Sequence, residues 1–139
     1  GLSPRLGKYH RSYCLHCQHV LDSLDTHVDV CPECGSTNLT RGVHDRIREL
    51  ADVPEPLMPP HRPPYIEQIP LEFIPGLGKR TMARLLERFG TEMNILHRAT
   101  EEQLAEVVSE GLARAIVLAR EGRLNLESGG GGIYGKVKL

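Results

Sequence analysis

The sequence has few of the residues that build a large hydrophobic core. Its 139 residues include no tryptophan, two phenylalanines and four tyrosines, and 40% are hydrophobic. No apolar run is long enough to cross a bilayer, and no basic start is followed by an apolar stretch and a small-residue cleavage site, so neither membrane insertion nor secretion is predicted. So thin a core indicates that something besides apolar packing stabilises the fold.

The sequence also lacks an excess of either charge. The 17 Lys and Arg residues oppose 18 Asp and Glu residues, which gives a net charge of -1. Any contact with nucleic acid must therefore come from a local basic patch. The length suits one domain or two small modules and excludes the large scaffolds of multi-step enzymes. Because the first residue is Gly1 rather than Met, we expect a fragment of a longer cytoplasmic protein.

The four cysteines, by contrast, form two close pairs. Cys14 and Cys17 make the first C-x-x-C pair, and Cys31 and Cys34 make the second. Two such pairs supply the four ligands of a tetrahedral zinc ion, and in a cytoplasmic chain this spacing favours a metal over disulfides. A closed four-sulfur site has no open position for substrate, so we predict one structural zinc ion and no catalysis there. The alternative is a set of redox or incidental thiols.

Histidines crowd the same region as alternative ligands. They are His10, His16, His19, His27 and His44. With four cysteines present, we expect these side chains at the surface, around the ligands or against a partner. Gly35 permits the left-handed backbone of a knuckle turn after the second pair. Residues 18 to 21 and 38 to 43 are predicted to pair as the sheet of a zinc ribbon.

Composition divides the chain into four parts. We predict a zinc ribbon over residues 8–43, a short helix and proline-rich connector over 44–68, a helical module over 69–122 and a Gly-rich tail with a short strand over 123–139. Ile47, Leu50 and Ala51 share one face of the short helix, which is predicted to pack on the cysteine module. The prolines favour a stiff extended connector, although its two P-x-x-P frames could instead bind an SH3-like partner.

The helical module contains a glycine-rich turn with a specific physical use. The turn from Pro75 to Gly78 is followed by Lys79 and Arg80 and precedes a helix predicted over 79–89. One face of that helix is apolar and the other is basic. Its basic face carries Arg80, Arg84 and Arg88. Glycines let backbone N–H groups and the positive end of a helix approach a phosphate, and Lys79 and Arg80 add charge there.

A second pair of helices joined by a tight turn follows. Gly90 is predicted to end the helix, and Thr91 to begin the next. The segment from Thr100 to Gln103 is a capping box that opens a helix through Val108. The last helix is predicted over 113–121, and it follows a turn that contains Gly111.

The repeated pattern resembles the tandem helix-hairpin-helix modules of DNA repair nucleases, ligases and recombination proteins, over residues 69–122. Such modules bind DNA phosphates without reading the base sequence. The second hairpin departs from the pattern, because Ser109 stands where proline is common and only Gly111 remains of its glycines. The resemblance implies DNA contacts from Gly76, Leu77, Gly78, Lys79, Arg80, Arg84, Gly111 and Arg114. The alternative is two helix pairs whose glycines serve only as caps.

The linear order of several motifs carries a more specific resemblance. The motifs are Pro4 to His10, Gly42 to Ile47, Glu49 to Asp52, Arg62 to Tyr65, Ile69 to Leu71 and Tyr134 to Lys136. Together they look like the C-terminal half of the endonuclease Q family. This implies an upstream metallo-phosphoesterase domain in cis, of the polymerase-and-histidinol-phosphatase type, that carries the catalytic His and Asp residues. Members of that family nick DNA on the 5′ side of deaminated bases and abasic sites.

One segment departs from the family pattern. Its members carry an acidic and aromatic stretch before Tyr134, whereas this chain has Ser128 followed by four glycines. We expect substrate contacts from this segment to differ accordingly.

We therefore predict an α+β fold with a small zinc ribbon, an all-α tandem helix-hairpin-helix module and a short C-terminal β tail. The predicted function is that of a zinc-stabilised DNA-binding region, without nuclease activity of its own, of a metal-dependent repair endonuclease. We expect it in the cytoplasm, associated with the nucleoid when bound to DNA and without a membrane partner. The alternatives are a protein-interaction adaptor that uses the ribbon and the proline-rich connector, a nucleic-acid clamp unrelated to damage, and RNA as the ligand.

Overall fold

The computed structural model describes residues 1–21 and 28–139, which form two compact units. The first, which we call the helical unit, comprises Gly1–Leu2, Glu67–Asn125 and Val137–Leu139. The second, which we call the cysteine unit, comprises Ser3–Ile66 and Leu126–Lys136. The mixture of helices and short strands agrees with the predicted α+β class.

The described residues form five α-helices, four short strands and two single-turn 3₁₀ helices. In chain order the strands and helices are β1 (Tyr13–Cys14), β2 (Leu39–Thr40), α1 (Val43–Leu50), α2 (Lys79–Phe89), α3 (Glu92–His97), α4 (Glu101–Ala105), α5 (Glu110–Arg120), β3 (Asn125–Glu127) and β4 (Lys136–Lys138). The 3₁₀ turns are Pro4–Leu6 and Leu71–Phe73. Strands β1 and β2 pair antiparallel, and β3 pairs with β4. Within the described part of the chain, no helix combines the length and apolar character that a membrane crossing requires.

Capping side chains fix where the helices of the helical unit begin. The Thr100 hydroxyl accepts a hydrogen bond from the Gln103 N–H at 3.2 Å, and the Gln103 side chain accepts one from the Thr100 N–H at 3.0 Å. The predicted capping box is thus confirmed. The Ser109 hydroxyl accepts from the Leu112 N–H at 3.4 Å. Because Ser109 is this cap, α5 begins at Glu110 rather than at the predicted residue 113.

The core of the helical unit lies where α2, α3, α4 and α5 pack together. Its largest fully buried side chains include Leu85, Ile95, Leu104 and Ile116, one from each of these helices. Helix α4 ends at Ala105 instead of continuing to Val108 as predicted. The reason is a tight turn in which the Val107 N–H donates to the Leu104 carbonyl at 2.9 Å.

Arg120 joins the end of α5 to the end of α3. Its guanidinium donates to the carbonyls of Leu96 at 2.7 Å, Ile95 at 3.1 Å and Ala99 at 2.6 Å. The last carbonyls of a helix have no partner within the helix, and a cation is favoured beside them. Arg120 therefore satisfies the end of α3 with a charge of the favourable sign.

We expect Arg120→Leu to lower the free energy of unfolding of the helical unit by about 2–4 kcal/mol, because three carbonyls lose a charged donor. Urea denaturation followed by helical circular dichroism measures this change. The matched control is Arg123→Leu, which removes only an exposed ion pair with Glu121, and such pairs contribute about 0–1 kcal/mol. Equal effects of the two substitutions would contradict the role of Arg120.

The sheet of the cysteine unit differs from the predicted ribbon. Residues 18 to 21 do not form a strand against residues 38 to 43, so that prediction was wrong. Strand β2 instead pairs with β1, and Val20 contributes one isolated bridge to Tyr13. The reason is the turn around the first cysteine pair, where the Cys14 N–H donates to the His19 carbonyl at 2.9 Å and brings the chain back on itself.

The Gly-rich segment returns to the first residues of the cysteine unit. The Gly129 N–H donates to the Arg5 carbonyl at 2.9 Å, and the Gly129 carbonyl accepts from the Arg11 N–H at 3.0 Å. A Cβ atom at position 129 would overlap the Gly7 carbonyl oxygen. A side chain at this position would therefore separate Leu126–Lys136 from the start of the unit.

Helix α1 has the opposite orientation to the predicted one. Its apolar residues Val43, Ile47 and Leu50 are exposed, and none of its residues is buried. The Asp45 carboxylate instead faces the cysteine unit, where it accepts from Arg11 Nη1 at 2.9 Å and from the Ser12 N–H at 2.8 Å. The prediction that the apolar face packs on this unit was therefore wrong, because an ion pair and a backbone hydrogen bond orient the helix.

Candidate metal centre and nucleic-acid interface

The four cysteine sulfurs lie together at one point of the cysteine unit. Cys14 Sγ is 3.6 Å from Cys34 Sγ, Cys17 Sγ is 3.6 Å from Cys31 Sγ, and all four lie within 4.8 Å of one another. Four sulfurs at about 2.3 Å from one zinc ion are about 3.8 Å apart. The sulfurs thus have the spacing of a tetrahedral zinc site, and none of them forms a disulfide.

The two C-x-x-C pairs are held by equivalent backbone turns. The carbonyl of Cys14 accepts from the Gln18 N–H, and that of Cys31 accepts from the Gly35 N–H, both at 2.9 Å. The fourth residue after the first cysteine of each pair has a left-handed backbone, with φ of 62° at Gln18 and 72° at Gly35. Glycine adopts this conformation without strain, whereas glutamine does so at a cost. The sequence indicated this turn only at Gly35.

Backbone N–H groups and desolvation shift the thiol pKa values in opposite directions. The Cys17 N–H, assisted by the His16 N–H, outweighs burial and lowers the pKa of the Cys14 thiol to about 6. Desolvation raises the pKa of the Cys17 thiol to about 12. Four thiolates at this spacing repel one another, and a divalent cation bound among them would stabilise all four. The donor set therefore fits a cation that prefers sulfur, such as zinc.

The described histidines lie outside the sulfur cluster. Among residues 1–21 and 28–139, the four cysteines are the one group of three or more close side chains that could bind a metal ion. The rings of His10 and His44 stand 5.0 Å apart between centroids, tilted by 38°. His16 is exposed between the two cysteines of the first pair. His27 lies outside the described residues.

The predicted phosphate-binding turn precedes α2. Gly76 has φ of 85°, and Gly78 is the N-cap of α2. Both are exposed, and a Cβ atom at either position would meet nothing within 4 Å. Leu77 differs from its neighbours, because its side chain is buried and its N–H donates to the Ile74 carbonyl at 3.1 Å. The turn thus presents glycine backbone to solvent, while Leu77 attaches it to the core.

Three exposed basic side chains follow this turn. Lys79, Arg80 and Arg84 pair with no carboxylate in the described part of the chain, and we call them the α2 basic patch. The first turn of α2 has no acidic residue, and its first N–H groups have no partner within the helix. Arg88 differs from these three, because it lies 3.5 Å from the Glu106 carboxylate.

The second predicted hairpin is less suited to binding phosphate. Gly111 is exposed within the first turn of α5, but Glu110 precedes it and places a negative charge at the end of the helix where an anion would bind. Arg114 pairs with the Glu101 carboxylate at 3.0 Å. The basic and glycine residues of this hairpin are therefore accompanied by acidic ones, unlike those of α2.

The cysteine unit also has a surface hollow that no pattern in the sequence predicts. Its volume is about 240 Å³, and Tyr13, Ser128, Gly130 and Tyr134 are among the residues that line it. Ser128 is 8% exposed, and its hydroxyl has no hydrogen-bond partner among the described residues. A buried polar atom in the wall of a hollow offers a hydrogen bond to a ligand.

Comparison with known proteins gives similarity over the whole chain. No family model matches. An uncharacterized protein of Bacillus subtilis is 49% identical over 138 residues, which make up 99% of this chain and 34% of that protein. An uncharacterized protein of Methanocaldococcus jannaschii is 35% identical over all of this chain and 19% of its own length. The chain thus spans about a third or less of these relatives.

Two solved structures have a similar fold. One is the lesion-specific endonuclease PfuEndoQ from Pyrococcus furiosus, with a TM-score of 0.78 and 38% identity over all of this chain and 37% of that one. The other is an endonuclease Q complex with a 27-mer duplex substrate that has an abasic lesion at the active site, with a TM-score of 0.76, 37% identity and the same coverage. The resemblance to part of endonuclease Q, predicted from the sequence, is thereby confirmed.

Proposed function

We propose that this chain is the zinc-stabilised, non-catalytic DNA-binding region of a repair endonuclease that nicks DNA beside deaminated bases or abasic sites. The observation that carries this proposal is the similarity of the entire chain to a lesion-specific endonuclease. The similar endonuclease Q that holds a DNA duplex supports DNA as the ligand. The chain spans about a third of these proteins, and we place it at their C-terminal end.

In this proposal the zinc ion has a structural role. Cys14, Cys17, Cys31 and Cys34 would hold it, and their four sulfurs fill its coordination sphere. When bound, the ion offsets the negative charge of the four thiolates and joins the two C-x-x-C turns. A closed sphere leaves no place for a catalytic water. The nicking reaction therefore belongs to the part of the endonuclease outside these residues.

The glycine turn and the α2 basic patch are the proposed contact with DNA. We interpret the 3₁₀ turn at Leu71–Phe73, the turn from Pro75 to Gly78 and α2 as the first hairpin of a tandem helix-hairpin-helix module. A phosphate at the start of α2 would accept hydrogen bonds from backbone N–H groups and would lie beside Lys79 and Arg80. Such contacts do not read sequence, which suits an enzyme that finds lesions in any context.

The hollow on the cysteine unit is the proposed place for contact with a displaced base. Enzymes that act at a damaged base move it out of the duplex, stack its ring and bind its polar edge. Tyr13 and Tyr134 supply rings at the hollow, and the Ser128 hydroxyl supplies a polar group that has no other described partner.

Fluorescence anisotropy of the zinc-loaded chain tests the function. We expect it to bind a DNA duplex with an affinity that falls as salt rises, because phosphate contacts release counterions. The duplex should be compared intact and with a single deoxyuridine, hypoxanthine or abasic site, and with RNA of the same sequence. We expect tighter binding to the damaged duplexes and no nicking by the chain alone.

Each alternative gives a different result in this experiment. Equal affinity for intact and damaged duplexes would indicate a nucleic-acid clamp unrelated to damage. Tighter binding to RNA than to DNA would indicate that RNA is the ligand. Absence of binding at low salt would favour the protein-interaction adaptor, in which the ribbon and the proline-rich connector bind a partner. Metal-dependent nicking that is lost on substitution of a residue in this chain would contradict the non-catalytic role.

A further inference from the structure

Helix α1 presents an apolar face to solvent. Val43, Ile47 and Leu50 recur at helical spacing on this face and are 57%, 61% and 62% exposed. We call these three residues the α1 face. Val53 and Leu57, in the connector that follows, are also exposed. A single exposed apolar side chain is ordinary, but a row along one side of a helix indicates a surface that another element covers.

The α1 face cannot turn inward, because the opposite side of the helix is held by polar contacts. Asp45 is bound to Arg11 and Ser12. The Glu49 carboxylate, one turn further on, accepts from Arg46 at 2.7 Å and from Arg41 at 3.1 Å. Asp45 and Glu49 thus attach this side of α1 to Arg11, Ser12 and Arg41, which lie outside the helix. The exposure of the other side is therefore fixed by the fold.

The backbone at Gly42 lies close against another part of the cysteine unit, and this contact also holds the start of α1 in place. A Cβ atom at this N-cap position would overlap the backbone of Arg11 and Ser12. The helix therefore begins against the backbone of its own unit, and a rotation that buried Ile47 would break this contact as well as the ion pair of Asp45.

The chemistry of this surface identifies the kind of partner. Val43, Ile47 and Leu50 carry no charge, and the nearby Arg46 is already paired with Glu49, so the surface does not suit the DNA backbone. A folded apolar surface of protein is the complementary partner. The similar endonuclease Q structure extends well beyond the matched region, since this chain covers 37% of it.

We propose that the α1 face docks against the part of the full-length protein that lies outside these 139 residues. The inference rests on the proposed function, in which this region belongs to a longer endonuclease. Docking at α1 would attach the cysteine unit to that part independently of the DNA contacts on α2. A second copy of this chain is the competing partner.

Photo-crosslinking in the full-length protein tests this inference. A benzophenone amino acid should replace Ile47 in one preparation and Arg48, on the side of α1 away from its apolar face, in another. After irradiation, mass spectrometry of the digest identifies the linked peptides. We expect position 47, and not position 48, to link to a peptide outside the 139 residues of the same polypeptide. Links only to a second copy, or none from position 47, would overturn the proposal.

Hydrogen exchange on paired variants gives an independent measurement. We expect Ile47→Glu in the full-length protein to make the amides of α1 exchange at least tenfold faster, because the docked surface is lost. Ile47→Leu keeps an apolar side chain at the same position and should leave the exchange unchanged. Since Ile47 is already exposed within its own unit, Ile47→Glu should keep the metal content of the wild-type protein. Equal exchange in the two variants would argue against docking.

These outcomes separate the docking proposal from the proposed function. A full-length protein that links through position 47 but does not nick damaged DNA would contradict the function and leave the docking intact. A full-length protein that nicks such DNA without the link would contradict only the docking.

Discussion

Removal of metal is expected to unfold the cysteine unit and to leave the helical unit folded. The buried cluster around the cysteines is small, with Cys14, Leu21 and Cys31 at its centre and Val28 and Leu39 partly buried against it. Strands of two residues add little to it. Zinc bound by four thiolates contributes about 10–16 kcal/mol to the folding of such modules. Without the ion, the apolar contacts of this unit are too few to offset the entropy of ordering it.

Amide NMR spectra before and after chelation measure this outcome. We expect the resonances of the cysteine unit to collapse to unfolded positions while those of α2 to α5 persist, and added zinc to restore the original spectrum. Cys14→Ser should give the collapsed spectrum with zinc present. Ser36→Ala, in the second knuckle, is the matched control and should retain the folded spectrum. An unchanged spectrum after complete loss of metal would refute the structural role of zinc.

The second large effect is expected at the start of α2. Combined Lys79→Glu and Arg80→Glu substitutions should weaken DNA binding on the order of 100-fold at physiological salt, because two phosphate contacts become repulsions. The slope of log affinity against log salt should fall in magnitude by about two. Anisotropy over a salt titration measures both quantities.

Matched variants separate a local contact from a change in total charge. Arg98→Glu with Arg123→Glu makes the same change of charge at exposed positions of the same unit, and we expect it to weaken binding only slightly. Lys79→Arg with Arg80→Lys keeps both charges and should retain most of the affinity. If the control substitutions weakened binding as much as the two substitutions at the start of α2, the proposed DNA contact at the glycine turn would be contradicted.

The cluster of four cysteines could be predicted from the sequence because the two cysteines of each pair lie only three positions apart. Each C-x-x-C pair sets two sulfurs at the ends of one tight turn, and two pairs leave few alternatives to a shared ion. The capping box at Thr100 and Gln103 was predictable for the same reason, since both partners lie within one helical turn. The positive φ of Gln18 was not, because nothing in a glutamine side chain indicates a left-handed backbone.

The orientation of α1 could not be predicted because it depends on residues far apart in the chain. The spacing of Ile47, Leu50 and Ala51 correctly indicated a short amphipathic helix, observed over Val43–Leu50. Periodicity does not say, however, which neighbour covers an apolar face. That choice is made by Asp45, whose partners Arg11 and Ser12 lie more than thirty positions earlier. The hollow beside Ser128 is a further example, since it forms only where the two ends of the chain meet.

The return of the Gly-rich segment to the cysteine unit has a consequence for synthesis on the ribosome. The backbone groups of Arg5 and Arg11 that bond Gly129 emerge first, and Gly129 emerges only after helices α2 to α5 have been made. Contacts between such distant positions form slowly, because a long loop must close first. The helices can therefore fold during translation, whereas the cysteine unit completes its fold only near the end of the chain and until then would depend on the proposed zinc ion.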